Sequence, residues 1–93
     1  RMDQRTLTNR IARNLDIDAK DVSMLGDAMA DIFQDVLADC DTVAIPGFGT
    51  FSGVKTDEHE ALAANGTKVL MPPSISVVFE PGSRLRKEAM QRL

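Results

Sequence analysis

Four consecutive residues are of the types used in acid–base or metal chemistry: Asp57, Glu58, His59 and Glu60. Because side chains alternate between the two faces of an extended segment, His59 shares a face with Asp57 and not with the two glutamates. The chain has no second histidine and only one cysteine, Cys40. It also lacks a Gly-rich phosphate loop followed by Lys. The sequence therefore predicts no enzyme activity, no metal, no cofactor and no small-molecule substrate.

Cys40 lies in surroundings that do not suit a reactive thiol. A reactive thiolate needs a neighbouring cation, but the residues on either side of Cys40 are Asp39 and Asp41. Cys40 also follows an apolar stripe, and unpaired cysteines commonly behave as small hydrophobic residues. We therefore expect the Cys40 side chain to be buried.

The remaining residues that could form a binding site are cations, and these lie at the two ends of the chain. Residues 1–14 contain four Arg and one Asp, and residues 83–93 contain four cations and one Glu, so each end has a net charge of +3. Residues 15–41, with eight Asp and one Lys, are acidic. The overall net charge of −3 therefore conceals two basic segments, which would form one phosphate-binding patch if the ends meet.

The size of the chain favours a dimer. A chain of 93 residues buries only about 60–65% of the surface that its unfolded form exposes. A single small core of this kind rarely supplies more than roughly 3–5 kcal/mol of stability. One cysteine excludes an internal disulfide, and one histidine excludes a Cys/His zinc cluster. Association with a second chain is the remaining way to enlarge the core.

No feature of the sequence indicates a membrane or an exported protein. There is no run of roughly 18 apolar residues, and residues 1–13 lack the apolar stretch of a signal peptide. An unpaired cysteine is compatible with a reducing compartment. We therefore expect a cytoplasmic protein without a membrane partner.

Two helices are predicted in the N-terminal part. Asp3 or Thr6 can cap the first, which runs to about Asn14, and Asp18 can cap a second over residues 19–39. The apolar residues of the second helix follow the spacing of a coiled-coil seam: Val22, Leu25, Met29, Ile32 and Val36.

After Cys40 the pattern changes to short strands separated by turns. Pro46–Gly49 is a turn, and Asn65-Gly66 indicates a type I′ hairpin. Residues 54–71 are thus predicted to form a protruding two-stranded excursion, called the arm below. Ser83 is the expected N-cap of a last helix. Strands are predicted over residues 42–45, 50–54, 68–71 and 75–79.

Two motifs resemble those of the bacterial histone-like HU/IHF family. The first is IPGFGTF at residues 45–51, and the second is VFEPGSRLRK at residues 78–87, with PPS at residues 72–74 between them. The resemblance covers nearly the whole chain, including helix lengths and arm length. The two motifs at this separation are more specific than either alone.

The resemblance implies an α+β fold that forms a single HU/IHF-like domain over residues 1–93. Two N-terminal helices (residues 1–41) provide dimerisation. A three-stranded antiparallel sheet and the protruding hairpin arm occupy residues 42–82, and a short helix occupies residues 83–93. The family forms an intertwined homodimer, whose core residues here would be Phe33, Met29, Phe48, Phe51 and Phe79.

The family also implies binding to the phosphate backbone and minor groove of double-stranded DNA, with bending. Counting back from Gly66, the Arg-Asn-Pro tip of the family falls on Ala61, Leu62 and Ala63. Leu62 would then be the apolar wedge at the tip, next to Ala63. The candidate DNA contacts are Lys55, Lys68, Arg84, Arg86, Lys87, Leu62 and Ala63.

The arm departs from the family in its charge. It carries two Lys against Asp57, Glu58 and Glu60, a net charge of −1 with His59 neutral. Fewer phosphate contacts mean weaker DNA binding with a smaller salt dependence. Two functions are therefore predicted. The first is a largely sequence-tolerant DNA-binding and DNA-bending architectural protein of the nucleoid. The second is a homo- or heterodimeric protein-interaction module with weakened or lost DNA binding, whose acidic arm binds a basic protein surface or a related paralogue with a more basic arm.

Overall fold

The computed structural model describes residues 1–93 and contains three helices and five strands. The chain divides into two compact units, residues 1–34 and residues 35–93. No helix is both long enough and apolar enough to cross a bilayer. In chain order the elements are α1 (Gln4–Leu15), α2 (Ala19–Ala38), β1 (Thr42–Ile45), β2 (Gly49–Thr56), β3 (His59–Leu62), β4 (Lys68–Met71), β5 (Ser74–Pro81) and α3 (Ser83–Gln91).

Asp3 caps α1, one of the two residues predicted for this role. Its carboxylate accepts a hydrogen bond from the Thr6 backbone N–H at 2.8 Å, and this bond lowers the pKa of Asp3 below its ordinary value. The cap therefore stabilises the helix fully above the ordinary Asp pKa, and the stabilisation is lost as the pH falls through the lowered one. Ala12 and Val22 are the buried apolar residues of the first unit.

The C-terminus of α2 corrects the prediction for Cys40. The Cys40 N–H donates to the Leu37 carbonyl and the Asp41 N–H to the Val36 carbonyl, which is the hydrogen-bond pattern of a Schellman motif. Cys40 occupies its left-handed position with φ 60° and is exposed. The prediction of a buried Cys40 is wrong because the helix ends at Ala38, so the apolar stripe does not continue to residue 40.

The strands form two separate antiparallel sheets. The first has the order β1-β2-β5, and the second pairs β3 with β4. The last pair of the first sheet is Thr56 with Ser74, and the first pair of the second is His59 with Met71. Pro72 and Pro73 occupy the interval, and proline has no N–H to donate to a ladder. The predicted sheet and hairpin arm are therefore present, with a break where the arm leaves the sheet.

Three phenylalanines form the aromatic centre of the second unit. Phe51 and Phe79 are direct cross-strand partners with ring centroids 4.7 Å apart. Phe48 lies 5.3 Å from Phe79 and 6.3 Å from Phe51. Offset and tilted aromatic pairs at these separations stabilise a core beyond the area they bury.

Gly53 marks the close approach of the C-terminus of α2 to the sheet. A Cβ at position 53 would overlap the Leu37 carbonyl oxygen and lie 3.1 Å from the Cys40 Cα. The Gly53 N–H donates to the Asp41 carbonyl at 3.1 Å. The backbones can approach this closely because glycine has no side chain at that point.

The arm tip has a different turn from the one predicted. Ala63 donates its N–H to Thr67 and accepts from Gly66, at 2.8 and 3.0 Å. A type I′ turn requires positive φ at both central residues, but only Gly66 has it, with φ 84°. The Asn65 carboxamide oxygen instead accepts from the Thr67 N–H at 3.0 Å. The tip is therefore a longer loop closed by a left-handed glycine.

The start of α3 also differs from the prediction by one residue. Gly82, not Ser83, is the N-cap, and no side chain caps the helix. The Gly82 N–H donates to the Phe48 carbonyl at 2.8 Å, which ties the helix to the turn between β1 and β2. Because Gly82 is held there, Ser83 becomes the first helical residue.

Candidate nucleic-acid interface

The cations of α3 lie on two different faces of the helix. Ser83, Arg86 and Lys87 line one surface depression together with Met90 and Gln91. Arg84 lies on the other side, where its Cδ would be 3.4 Å from a Cβ placed at Gly47. The structure therefore brings Arg86 and Lys87 together and separates Arg84 from them.

The exposed N-terminal turn of α3 adds hydrogen-bond donors to this face. Arg86 is the first residue of α3 whose N–H donates a hydrogen bond along the helix, to the Gly82 carbonyl. The N–H groups before it have no side-chain cap, and such groups attract anions. Further along the helix, Arg92 is engaged with Glu88 at 2.8 Å. The start of α3 thus combines two cations with uncapped donors.

The arm supplies fewer free cations than it has lysines. Lys55 Nζ lies 3.9 Å from the Asp57 carboxylate, and both side chains are exposed. Such a surface pair contributes little to stability, but the nearby acid reduces the positive potential that a phosphate would meet. Lys68 pairs across the hairpin with Leu62 and forms no ion pair within the chain.

The acidic run at the base of the arm does not converge on a common point. The His59 Nδ1 lies 3.0 Å from the Asp57 backbone carbonyl, not from a carboxylate. No group of three or more His, Cys, Asp or Glu side chains is arranged to hold a metal ion. Because Asp57 and Glu58 fall in the break between β2 and β3, the strand alternation expected for Asp57 does not apply there.

Leu62 and Ala63 occupy different settings at the tip. Leu62 ends β3 and is 74% exposed. Ala63 is half-buried in the loop, and its N–H is used by the Thr67 carbonyl. Of the two predicted tip contacts, Leu62 is therefore the one that projects into solvent.

The register reveals a hydroxyl-rich sheet face that was not predicted from the sequence. It is the face opposite to Phe51 and Phe79, and its only charged side chain is Glu80. Serine and threonine hydroxyls are common donors to DNA phosphates. The alternation of polar residues along β2 and β5 was the available signal. The hydroxyl residues are Thr42, Thr50, Ser52, Thr56, Ser74 and Ser76.

Comparisons with known proteins define the class of this chain. The family model described as bacterial DNA-binding protein matches residues 2–90. The chain is 32% identical over 83 residues to the DNA-binding protein HU of two Campylobacter jejuni strains, which covers 88% of this chain and 84% of the relatives. The chain therefore belongs to the bacterial DNA-binding protein family, of which HU is a histone-like member.

Solved structures confirm the predicted HU-like α+β fold. Anabaena HU, in a cocrystal with DNA, has a TM-score of 0.79 at 19% identity and covers 95% of this chain and 97% of its own. HU from Thermotoga maritima has a TM-score of 0.67 at 23% identity, with coverages of 95% and 98%. The arrangement of two helices, sheet, arm and final helix is thus the HU arrangement.

Proposed function

We propose that this chain is a non-enzymatic, largely sequence-tolerant DNA-binding and DNA-bending architectural protein of the bacterial nucleoid, in the cytoplasm. The observation that carries the proposal is the start of α3, where Arg86 and Lys87 flank uncapped helix N–H groups on a family scaffold. Cations and helix N-termini are the groups that contact DNA phosphates without reading sequence.

The remaining contacts come from the sheet, the arm and the other face of α3. Lys55, Lys68 and Arg84 add weaker phosphate contacts. The hydroxyl-rich sheet face adds neutral donors, and the exposed Leu62 enters the minor groove between base pairs. Because few free cations are involved, binding is weaker and less sensitive to salt than that of a basic-armed protein.

Titration with duplex DNA of mixed sequence tests this function. We expect binding at low salt with little preference among sequences. The logarithm of the binding constant should fall with the logarithm of salt with a slope of about −0.9 for each phosphate neutralised, amounting to a few units in all. Fluorescence anisotropy at several salt concentrations measures both quantities. The absence of binding even at low salt would contradict the proposal.

We also propose that the protein acts as a homodimer through α2 and the aromatic residues. Met29 is 53% exposed and Phe48 is 44% exposed in the single chain, although both are large and apolar. Phe33 is half-buried on the same helix as Met29. A second copy would cover these surfaces and enlarge a core that is small in one chain.

Sedimentation tests the dimer directly. The protein should sediment with roughly twice the mass of the 10.2 kDa chain, because burial of the exposed apolar face of α2 drives association. Met29→Asp should shift the protein toward monomer, since a carboxylate in an apolar interface is unfavourable. Asp27→Asn, an exposed substitution on the same helix, is the control. A folded wild-type monomer would contradict the proposal.

Leu62→Ala should reduce the DNA bend more than the affinity. The wedge opens a base step, whereas the phosphate contacts provide most of the binding free energy. Energy transfer between dyes at the two ends of a short duplex measures the bend. Val69→Ala, on the opposite face of the arm, is the matched control. An unchanged bend in Leu62→Ala would show that Leu62 is not the wedge.

A second candidate function is supported by the acidic arm. With a net charge of −1 and exposed leucines, the arm suits a basic or apolar protein surface as well as DNA. The protein would then be a homo- or heterodimeric interaction module, and the natural partner would be a related chain with a basic arm. Preferential heterodimer formation on mixing the two chains, without DNA binding by either dimer, would favour this function.

A further inference from the structure

One face of the β3–β4 hairpin, called the leucine face, carries four side chains. Glu60 pairs across the strands with Leu70, and Leu62 pairs with Lys68. Directly opposed residues of an antiparallel pair point to the same side, as do alternate residues along each strand. The two leucines therefore lie on one diagonal of the leucine face, and the two opposite charges lie on the other.

The leucine face is the more exposed side of the hairpin. Leu62 is 74% and Leu70 is 63% exposed, whereas Val69 and Met71 on the other face are 42% and 41% exposed. A two-stranded hairpin without packing against a face is only marginally stable in water. These leucines thus leave an apolar surface on an element that gains stability when that surface is covered.

The two charged side chains of the leucine face form no ion pair within the chain. The ion pairs of the chain are Lys55 with Asp57 and Arg92 with Glu88, so neither Glu60 nor Lys68 has an opposite charge in contact. Residues on this diagonal are about 7–8 Å apart, and no ion pair joins Glu60 to Lys68. Both charges therefore remain available to a partner whose charges are arranged in the complementary way.

A second copy of the same face provides that arrangement. Consider a two-fold axis in the plane of contact, along the diagonal from Leu62 to Leu70. This axis places each leucine directly across the contact from the same leucine of the second copy. It also places each Glu60 opposite Lys68 of the second copy. A contact of this type is isologous and closes after two copies. The leucine face is thus complementary to itself in both hydrophobicity and charge.

We propose that the leucine face is an interface between the arms of two copies of this chain. The contact lies outside α2 and the aromatic core, so it is additional to the proposed homodimer. The linking of dimers into larger assemblies rests on that homodimer. Each homodimer would present two arms, and arm pairing would link dimers into larger assemblies. Because Leu62 and Lys68 are also proposed DNA contacts, an arm cannot pair with another arm and hold DNA at the same time.

Sedimentation velocity of the full chain without DNA tests this interface over a wide range of protein concentrations. Wild type should form species above the dimer as concentration rises, and Leu62→Ser should lose them. Leu93→Ser, which changes an even more exposed leucine at the C-terminus, is the matched control and should behave as wild type. A wild type that stays at one size at every concentration would overturn the proposal.

Charge exchange provides a second measurement. Glu60→Lys and Lys68→Glu each place like charges opposite each other and should abolish the larger species. The double variant restores opposite charges and should regain them. Lys55→Glu makes the same Lys-to-Glu change in β2, outside the leucine face, and should assemble as wild type. Failure of the double variant to assemble, with the amide signals of the tip loop unchanged by NMR, would overturn the proposal. Since no DNA is present, these results are independent of the proposed DNA binding.

Discussion

Gly53→Ala should destabilise the protein by about 3 kcal/mol or more, the upper range for overpacking a rigid site. The added methyl group would overlap the Leu37 carbonyl oxygen. That atom belongs to the backbone at the end of α2 and cannot turn aside as a flexible side chain can. The Schellman motif holds this backbone, because the Leu37 carbonyl accepts from Cys40. The overlap can therefore be removed only by moving the end of α2 away from β2.

The size of the core makes this loss severe. A single small core rarely supplies more than roughly 3–5 kcal/mol, so Gly53→Ala should leave a large unfolded fraction. Urea unfolding followed by circular dichroism measures the change in the free energy of unfolding. Ser52→Ala, at the neighbouring position on the opposite sheet face, should change it by less than about 0.5 kcal/mol. Equal effects at the two positions would contradict the close approach.

The double variant Arg86→Glu with Lys87→Glu should abolish detectable DNA binding at physiological salt. It removes two phosphate-binding cations per chain, and in a homodimer the loss is doubled. It also places carboxylates beside the uncapped N–H groups of α3, where they occupy the donors and repel phosphate. The salt slope should fall by about one unit for each phosphate that is no longer neutralised.

The separation of the α3 cations into two faces provides the controls. Arg92→Glu changes one charge on the same helix but at its C-terminal end, where Arg92 is paired with Glu88. Compared with Arg86→Glu alone, it should affect affinity much less. Arg84→Glu should have an intermediate effect, because Arg84 lies over the turn at Gly47. If Arg92→Glu and Arg86→Glu weaken binding equally, then net charge and not the α3 face governs binding.

Much of the fold could be predicted from local sequence patterns. The positions of α1, α2 and β1 agree with the predictions within one or two residues, because caps and apolar periodicity are local signals. The hairpin arm was predicted from Asn65-Gly66, although the turn type was wrong. There, the Asn65 side chain accepts a bond from Thr67, a competing local interaction that the dipeptide rule ignores.

The candidate site was predicted less completely, because its geometry depends on residues far apart in the chain. The cations Arg84, Arg86 and Lys87 were identified together, yet which of them share a face depends on where α3 begins. That start is set by the bond from Gly82 to Phe48, more than thirty residues earlier. The hydroxyl-rich face was missed because it appears only when β1, β2 and β5 are aligned in register.

The sequence by itself determined the family, the order of elements, the basic ends and the acidic arm. Composition, motifs and periodicity are properties of the chain read along its length, so no tertiary contact was needed. The tertiary structure alone decided that Cys40 is exposed, that Gly53 admits no side chain, and that Glu60 and Lys68 share a face with two leucines. The reason is physical: each of these depends on how closely one backbone approaches another and on strand register, which arise only when distant segments pack.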